Sequence, residues 1–149
     1  MFFLKELPTQ KMLQTYQDRF PDTDIRNIED ALRLLRRGSL LMRELEAYFA
    51  AHALSQTRFL VMMVIDREPE RESLFPSEIA DRLDVSRPVV TDTIRTLEKA
   101  GLLSIKSAQD GRTKQVLLTP HGRTVLANLL PGYFALITEF MTRGSRPVP

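Results

Sequence analysis

No cysteine occurs anywhere in these 149 residues. That single absence removes disulfides, thiolate metal sites and thiol-based redox sensing together. Only two histidines are present, His52 and His121, and they stand too far apart in sequence to suggest a metal site. No uninterrupted apolar run reaches the roughly 18 residues of a membrane-spanning helix. The apolar opening Met1-Phe2-Phe3-Leu4 is too short for a secretory leader, and Glu6 follows quickly. Catalytic constellations are missing as well. Ser73, Ser86 and Ser104 have no base at motif spacing, and there is no glycine-rich phosphate loop. Glu68 and Glu70 sit in the charged, proline-broken stretch Arg67-Glu68-Pro69-Glu70-Arg71-Glu72-Ser73, where they read as solvating charge rather than as general acid and base. These exclusions leave a cytoplasmic protein with no cofactor, no membrane segment and no enzymatic activity expected.

Net charge is also scarce: 21 basic residues face 19 acidic ones, for +2 overall and a pI of about 9.1. Between Leu74 and Thr124 eight basic residues stand against six acidic, so the whole excess falls in that segment. Such a bias is compatible with binding a polyanion but does not establish it, because affinity depends on where the cations sit. With 43% hydrophobic residues the chain can bury one good core, so one domain with helical extensions is expected.

The residues from 7 to 20 have a helical look, with Met12, Leu13 and Tyr16 at helical spacing. A break follows at Phe20-Pro21, and Asp22, Thr23 or Asp24 can cap the next element. A long amphipathic helix is then expected from Ile25 to His52. Ile28, Leu35, Met42 and Phe49 recur every seven residues, and Ile25, Leu32, Leu41 and Leu45 widen the stripe. So regular a seam normally packs against a partner. Gly38-Ser39 marks a bend in it. Ser55 caps a helix that is apolar nearly all round, through Phe59, Leu60, Met62, Met63, Val64 and Ile65.

From Phe75 to Leu126 the order is helix, turn, helix, two strands with a charged tip, and helix. Ile79, Ala80 and Leu83 share a face of the first short helix. Asp84-Val85 turns, and Ser86 caps the second, with Pro88 tolerated in its first turn. Strands Leu102 to Lys106 and Lys114 to Leu118 flank the tip Gln109-Asp110-Gly111-Arg112, where Gly111 can take positive φ. Thr119-Pro120 opens a last helix running toward Met141, interrupted at Pro131-Gly132. The fold class is therefore mainly α with a small β-hairpin wing. A winged helix-turn-helix is a shape suited to placing one helix in a DNA groove.

Leu54-Ser55-Gln56-Thr57-Arg58-Phe59, Ser77-Glu78-Ile79-Ala80, Val85-Ser86-Arg87-Pro88-Val89-Val90-Thr91, Leu97-Glu98-Lys99-Ala100-Gly101-Leu102, Asp110-Gly111-Arg112 and Leu118-Thr119-Pro120-His121-Gly122 together resemble the MarR family of bacterial transcription regulators, over roughly Ile25 to Phe140. The resemblance implies a homodimer that binds a pseudo-palindromic operator on double-stranded DNA, commonly represses, and in many members releases DNA on binding small phenolic or drug-like anions. It divides the chain into a helical extension (1–22), dimerisation helices (23–54 and 120–142), the DNA-binding region (55–119) and a disordered tail (143–149). Three features depart from the family pattern. A final pairing helix is usual, whereas here the sequence stops soon after Met141, and the segment before Pro21 is the expected substitute. Asp92 replaces a basic or neutral residue on the recognition helix, and the wing is less basic than many.

On that recognition helix Val90, Ile94 and Leu97 should face the core, with Ser86, Arg87, Val89, Thr91, Asp92 and Arg95 outward. Arginine can fork to guanine, aspartate can accept from cytosine N4, and threonine or valine can touch a thymine methyl. Wing residues Lys106, Arg112 and Lys114 carry its positive charge, and Arg112 is placed to enter a minor groove. Asp110 is expected to shape the turn or orient an arginine. Ser77 either donates to phosphate or simply caps its helix. The plain alternative for the whole set is solvated surface, which would make the fold a protein-interaction module without an operator. The resemblance also places an effector crevice along Tyr48, His52, Arg58, Phe59, Met62 and Met63. Arg58 and His52 would hold a small aromatic or anionic ligand there, although the apolar members read more readily as plain core.

Overall fold

Capping side chains fix where the first helices begin. Thr9 accepts the Met12 amide at 3.2 Å and opens α1, Gln10–Arg19. Of the three candidates before the long helix, Asp24 takes the Asn27 amide at 3.0 Å and opens α2, Ile25–Ala51. Ser55 accepts the Arg58 amide at 3.2 Å and opens α3, Gln56–Asp66. Each oxygen satisfies an amide that has no acceptor inside its own helix. The computed structural model describes residues 2–107 and 109–144. Its remaining elements are β1 (Ser73–Leu74), α4 (Pro76–Arg82), α5 (Arg87–Lys99), β2 (Leu103–Ser107), β3 (Lys114–Leu118) and α6 (Pro120–Gly144). Of the expected tail, Arg143 and Gly144 complete α6, and residues 145–149 lie outside the described residues.

The chain forms two compact units, Met1–Leu45 and Glu46–Pro149. In the first, α1 starts at Gln10 rather than near Leu7 because Thr9 takes an extended backbone to act as cap. Leu13 is buried, while Met12 and Tyr16 are more than half exposed. The long helix continues without a break through Gly38-Ser39, where a bend is expected from sequence. Ser39 turns its hydroxyl outward to the Phe2 carbonyl at 3.1 Å instead of competing for its own helix backbone. Burial along the seven-residue seam is uneven. Ile28 and Leu35 are 39% and 51% exposed, whereas Phe49, in the second unit, is 1% exposed.

In the second unit α3 runs through the middle, with Phe59, Val61 and Met62 fully buried. Phe49 stacks on Phe59 at 4.6 Å between ring centroids, and Tyr133 lies 4.7 Å from Phe59. Ile79, Val90, Leu97, Leu103, Val116 and Leu126 complete this core. The sheet has the order β1-β3-β2 and is antiparallel throughout. Sequence reading misses β1, because two residues are too short to show a pattern. Its pairing of Leu74 with Val116 nonetheless seats Leu74 in the core.

Pro131-Gly132 does not interrupt α6, contrary to the expectation. Pro131 lies on the exposed face of the helix. The Tyr48 hydroxyl donates to the Leu129 carbonyl at 2.7 Å and holds this stretch of helix from outside. Gly132 makes that approach feasible, since a Cβ there would lie 2.4 Å from the Tyr48 oxygen. By length and composition α6 is apolar enough to cross a membrane, although polar residues interrupt its apolar runs. Leu126 and Leu129 instead enter the core of the second unit.

Two glycine substitutions should therefore act with opposite sign in urea unfolding. Gly132→Ala pushes Tyr48 off the helix and should cost about 1–3 kcal/mol, as overpacking does. A Cβ at Gly38 meets nothing within 4 Å, so Gly38→Ala should stabilise by up to about 1 kcal/mol through helix propensity. Equal effects of the two would refute the clamp assigned to Tyr48.

Candidate nucleic-acid interface

The first helix of the motif is set by charge. The Phe75 amide donates to Glu78 Oε1 at 3.0 Å, so Glu78 folds back on the helix start, with Pro76 in the first turn. Arg71 grips the same carboxylate with two nitrogens at 2.6 and 2.7 Å, and its guanidinium lies 5.6 Å from the Phe75 ring centroid. Arg82 sits 4.0 Å from Glu78 and 3.0 Å from Glu68. Glu68 is thus an ion-pair partner rather than loose solvating charge. The Arg71 hydrogen bond, followed by that of the Phe75 amide, lowers the Glu78 pKa to about 2. Ser77 is exposed and does not cap α4, because Phe75 holds the cap position.

Ser86 caps α5, accepting the Val89 amide at 3.5 Å. The expected inner face is found in Val90, Ile94 and Leu97, joined by Thr93, which sequence reading misses. Thr93 stays buried by donating its hydroxyl to the Val89 carbonyl at 2.7 Å. Arg87, Val89, Thr91, Asp92 and Arg95 are all exposed on the other side. Thr91 donates to the Arg87 carbonyl at 3.1 Å, so what it offers outward is a methyl group and an acceptor oxygen. Both outward arginines face carboxylates: Arg87 lies 3.8 Å from Asp81 and Arg95 lies 3.4 Å from Asp92. Pairs this exposed are worth ~0–1 kcal/mol each and open readily.

The wing tip is organised by Asp110. Its Oδ1 accepts the Arg112 and Thr113 amides, each at 3.0 Å, and its Oδ2 accepts the Thr113 hydroxyl at 2.7 Å. These bonds, those of Thr113 foremost, lower the Asp110 pKa. Gly111 adopts φ +67°, as a tight tip requires. Asp110 therefore shapes the turn, and exposed Arg112 follows directly from it. Lys106 and Lys114 are exposed on β2 and β3, one pair apart in register. A cleft between α5 and the wing is lined by Thr91, Arg95 and Glu98 on one side and Ile105 and Lys114 on the other.

The residues of the expected effector crevice fall into two groups. Phe59 and Met62 are fully buried core, and Arg58 and Met63 are half-buried. The Tyr48 and His52 rings lie 4.4 Å apart, tilted by 47°, with the Tyr48 hydroxyl committed to α6 and His52 Nδ1 2.7 Å from the Tyr48 carbonyl oxygen. The clefts around Arg71, around Arg87, around Arg95 and around Arg33 lie elsewhere.

Two crossed helices, a recognition helix with a polar outer face and a basic-tipped wing define a winged helix-turn-helix. Residues 54–113 match the profile of the MarR family, and this region of the chain belongs to that family. A transcriptional repressor of Bacillus subtilis strain 168, YetL, is 29% identical over 140 residues, covering 93% of this chain and 83% of its own. The fold is also that of AbsC, a MarR family regulator of Streptomyces coelicolor, with a TM-score of 0.69 at 16% identity over 96% of this chain and 86% of that one. Sco3205 of the same organism, solved in complex with DNA, superposes with a TM-score of 0.68 at 17% identity, covering 98% and 81%. The matched region and the relatives it resembles support a DNA-binding transcriptional regulator.

Glu78 gives this interface a pH dependence of stability. Its pKa falls from an ordinary 4.5 to about 2 on folding, so the stabilisation is complete above 4.5 and disappears as pH falls toward 2. Glu78→Gln should therefore be less stable than the parent at pH 7, with the difference shrinking steadily from pH 5 down to pH 3. A difference that stays constant over that range in urea titrations would show that the carboxylate charge is not what matters.

Proposed function

We propose that this protein is a homodimeric, sequence-specific repressor that places α5 in the major groove and the wing tip against the adjacent minor groove of an inverted-repeat operator. The observation that carries this reading is the shared exposure of Ser77, Arg87, Val89, Thr91, Asp92 and Arg95 on the helix-turn-helix beside the basic tip Arg112, with Lys106 and Lys114 along the wing. Ser86 serves the same helix from its cap. Repression is the activity named for the Bacillus relative, and the DNA complex of the Streptomyces protein supports duplex DNA as the partner. Such a protein works in the cytoplasm, where the DNA is.

Dimerisation is supported by apolar residues that a lone chain leaves in water. Leu34 and Leu35 of α2 are 73% and 51% exposed, and Phe134 of α6 is 52% exposed. In each unit, large apolar side chains left at solvent are candidates for association surfaces. Two-fold symmetry would set the two recognition helices one turn of DNA apart, ~34–36 Å, and so demand an inverted repeat. Small-molecule control belongs to the same reading, with His52, Arg58 and Met63 as the members of the expected crevice that solvent reaches, while Phe59 and Met62 serve as core behind them. A ligand acts there only if it binds the DNA-competent and incompetent states unequally.

Binding to fragments of the source genome, followed by sequencing of what is retained, tests the proposal directly. Enriched inverted repeats are expected, with affinity falling steeply as salt rises. Arg112→Ala should weaken binding to all sequences alike and reduce the salt slope by about one. Retention of nothing above background, together with salt-insensitive capture of a protein, would instead support an interaction module. In sedimentation, Leu34→Glu combined with Leu35→Glu should convert a dimer to a monomer and abolish operator binding. A double variant that remains dimeric removes α2 from the interface.

A further inference from the structure

Resting on the reading of α5 as a recognition helix, we propose that Asp92 and Arg95 act as one unit that reads a single G·C base pair in each operator half-site. The two side chains are one helical turn apart, with Arg95 Nη1 3.4 Å from Asp92 Oδ1, and both are well exposed, at 62% and 75% for Arg95 and Asp92 respectively. They therefore lie side by side on the outward face of the helix. An arginine has five donors in a planar fork, so one edge can rest on a carboxylate while the other remains available for two further bonds.

The chemistry of this pair matches one base pair better than the others. Across the major groove a G·C pair presents two neighbouring acceptors, guanine N7 and O6, and then the cytosine N4 donor. Arg95 supplies two donors and Asp92, beside it, supplies the acceptor. An A·T pair places the adenine amino group between its acceptors, so the fork has no adjacent pair of acceptors to grip. The carboxylate also matters for where Arg95 goes. Lying beside the guanidinium, Asp92 is repelled by phosphate and favours the groove floor, which keeps Arg95 from settling on the backbone as an unspecific cation.

Asp92, the acidic residue at a position often basic or neutral in this family, is on this account a specificity determinant rather than a weakness in the interface. Arg87 is different, because its carboxylate, Asp81, belongs to α4 and lies farther away at 3.8 Å. That pairing joins two helices and is not presented as one unit to a base pair.

Selection from randomised duplexes with the full-length chain tests this, using the parent, Asp92→Asn and Arg95→Lys. The parent should enrich an inverted repeat with one fixed G·C pair in each half. Asp92→Asn should lose preference at that pair by on the order of tenfold or more, with the other positions unchanged, since asparagine suits adenine N6 and N7. Overall affinity for unrelated DNA should rise as the negative charge is removed. Arg95→Lys keeps the charge but not the fork, so the guanine preference should vanish while the salt slope stays the same. Variants that enrich the same pair as strongly as the parent overturn the inference. A repeat without a fixed G·C pair in the half-site overturns it alone, and failure of the parent to enrich any sequence overturns it together with the operator reading beneath it.

Discussion

The second unit depends on one carbonyl group, that of Leu102. It accepts the Thr119 amide at 3.1 Å, and a Cβ on Gly122 would lie only 2.1 Å from it. Four elements meet there. The recognition helix α5 ends in a Schellman motif, with Gly101 at φ +76° and the Leu102 amide bonded back to the Leu97 carbonyl at 2.9 Å. Strand β2 starts at the next residue, β3 has just ended, and α6 begins with Thr119 accepting the Gly122 amide at 2.9 Å while donating to the Gly101 carbonyl at 2.6 Å. Recognition helix, wing base and α6 are thereby fastened at a single point. None of the three can tilt without breaking a short hydrogen bond or driving backbone into backbone.

Charge does two different jobs on either side of that point. Glu68, Arg82, Glu78 and Arg71 form a chain of alternating sign whose side chains are 20–41% exposed, with Glu78 also holding a backbone amide. It fixes how the chain enters α4. The pairs on the outer face are different in kind. Asp81–Arg87 and Asp92–Arg95 are 62–75% exposed, and opening one costs at most ~1 kcal/mol, whereas a good bidentate base contact returns ~1–3 kcal/mol of discrimination. On the proposed reading, DNA would rearrange the outer pairs without disturbing the inner chain.

What the sequence makes legible is what local chemistry decides. Ser55 and Ser86 announce their helices because a capping oxygen acts three residues away, and Gly111 announces its tip because few other residues accept φ +67°. The inner and outer faces of α5 follow from helical period alone, Thr93 excepted, since its burial depends on a hydroxyl that satisfies itself on its own helix. What stays hidden needs a partner distant in sequence. Strand β1 exists through its pairing with β3, more than forty residues on, and the continuity of α6 across Pro131 is supported by Tyr48 from α2. Arg71 and Glu78, seven residues apart across a loop and a helix start, follow no periodic spacing.

The same dependence on distant partners explains why α6 matters to recognition even though none of its residues is assigned to DNA. Its first turn is fastened to the end of α5 at Leu102, and its middle is braced by Tyr48 at Leu129 and Gly132. Farther along, Phe134 is left 52% exposed. In the proposed dimer a partner covering that residue would hold one end of a rod whose other end carries the recognition helix. Half-site spacing would then be set by helix packing rather than by flexible linkers. A helix rises about 1.5 Å per residue, so the twelve positions from Gly122 to Phe134 act over roughly 18 Å. A small rotation where Phe134 is gripped becomes a displacement of several ångströms at α5, enough to take a side chain out of register with its base pair.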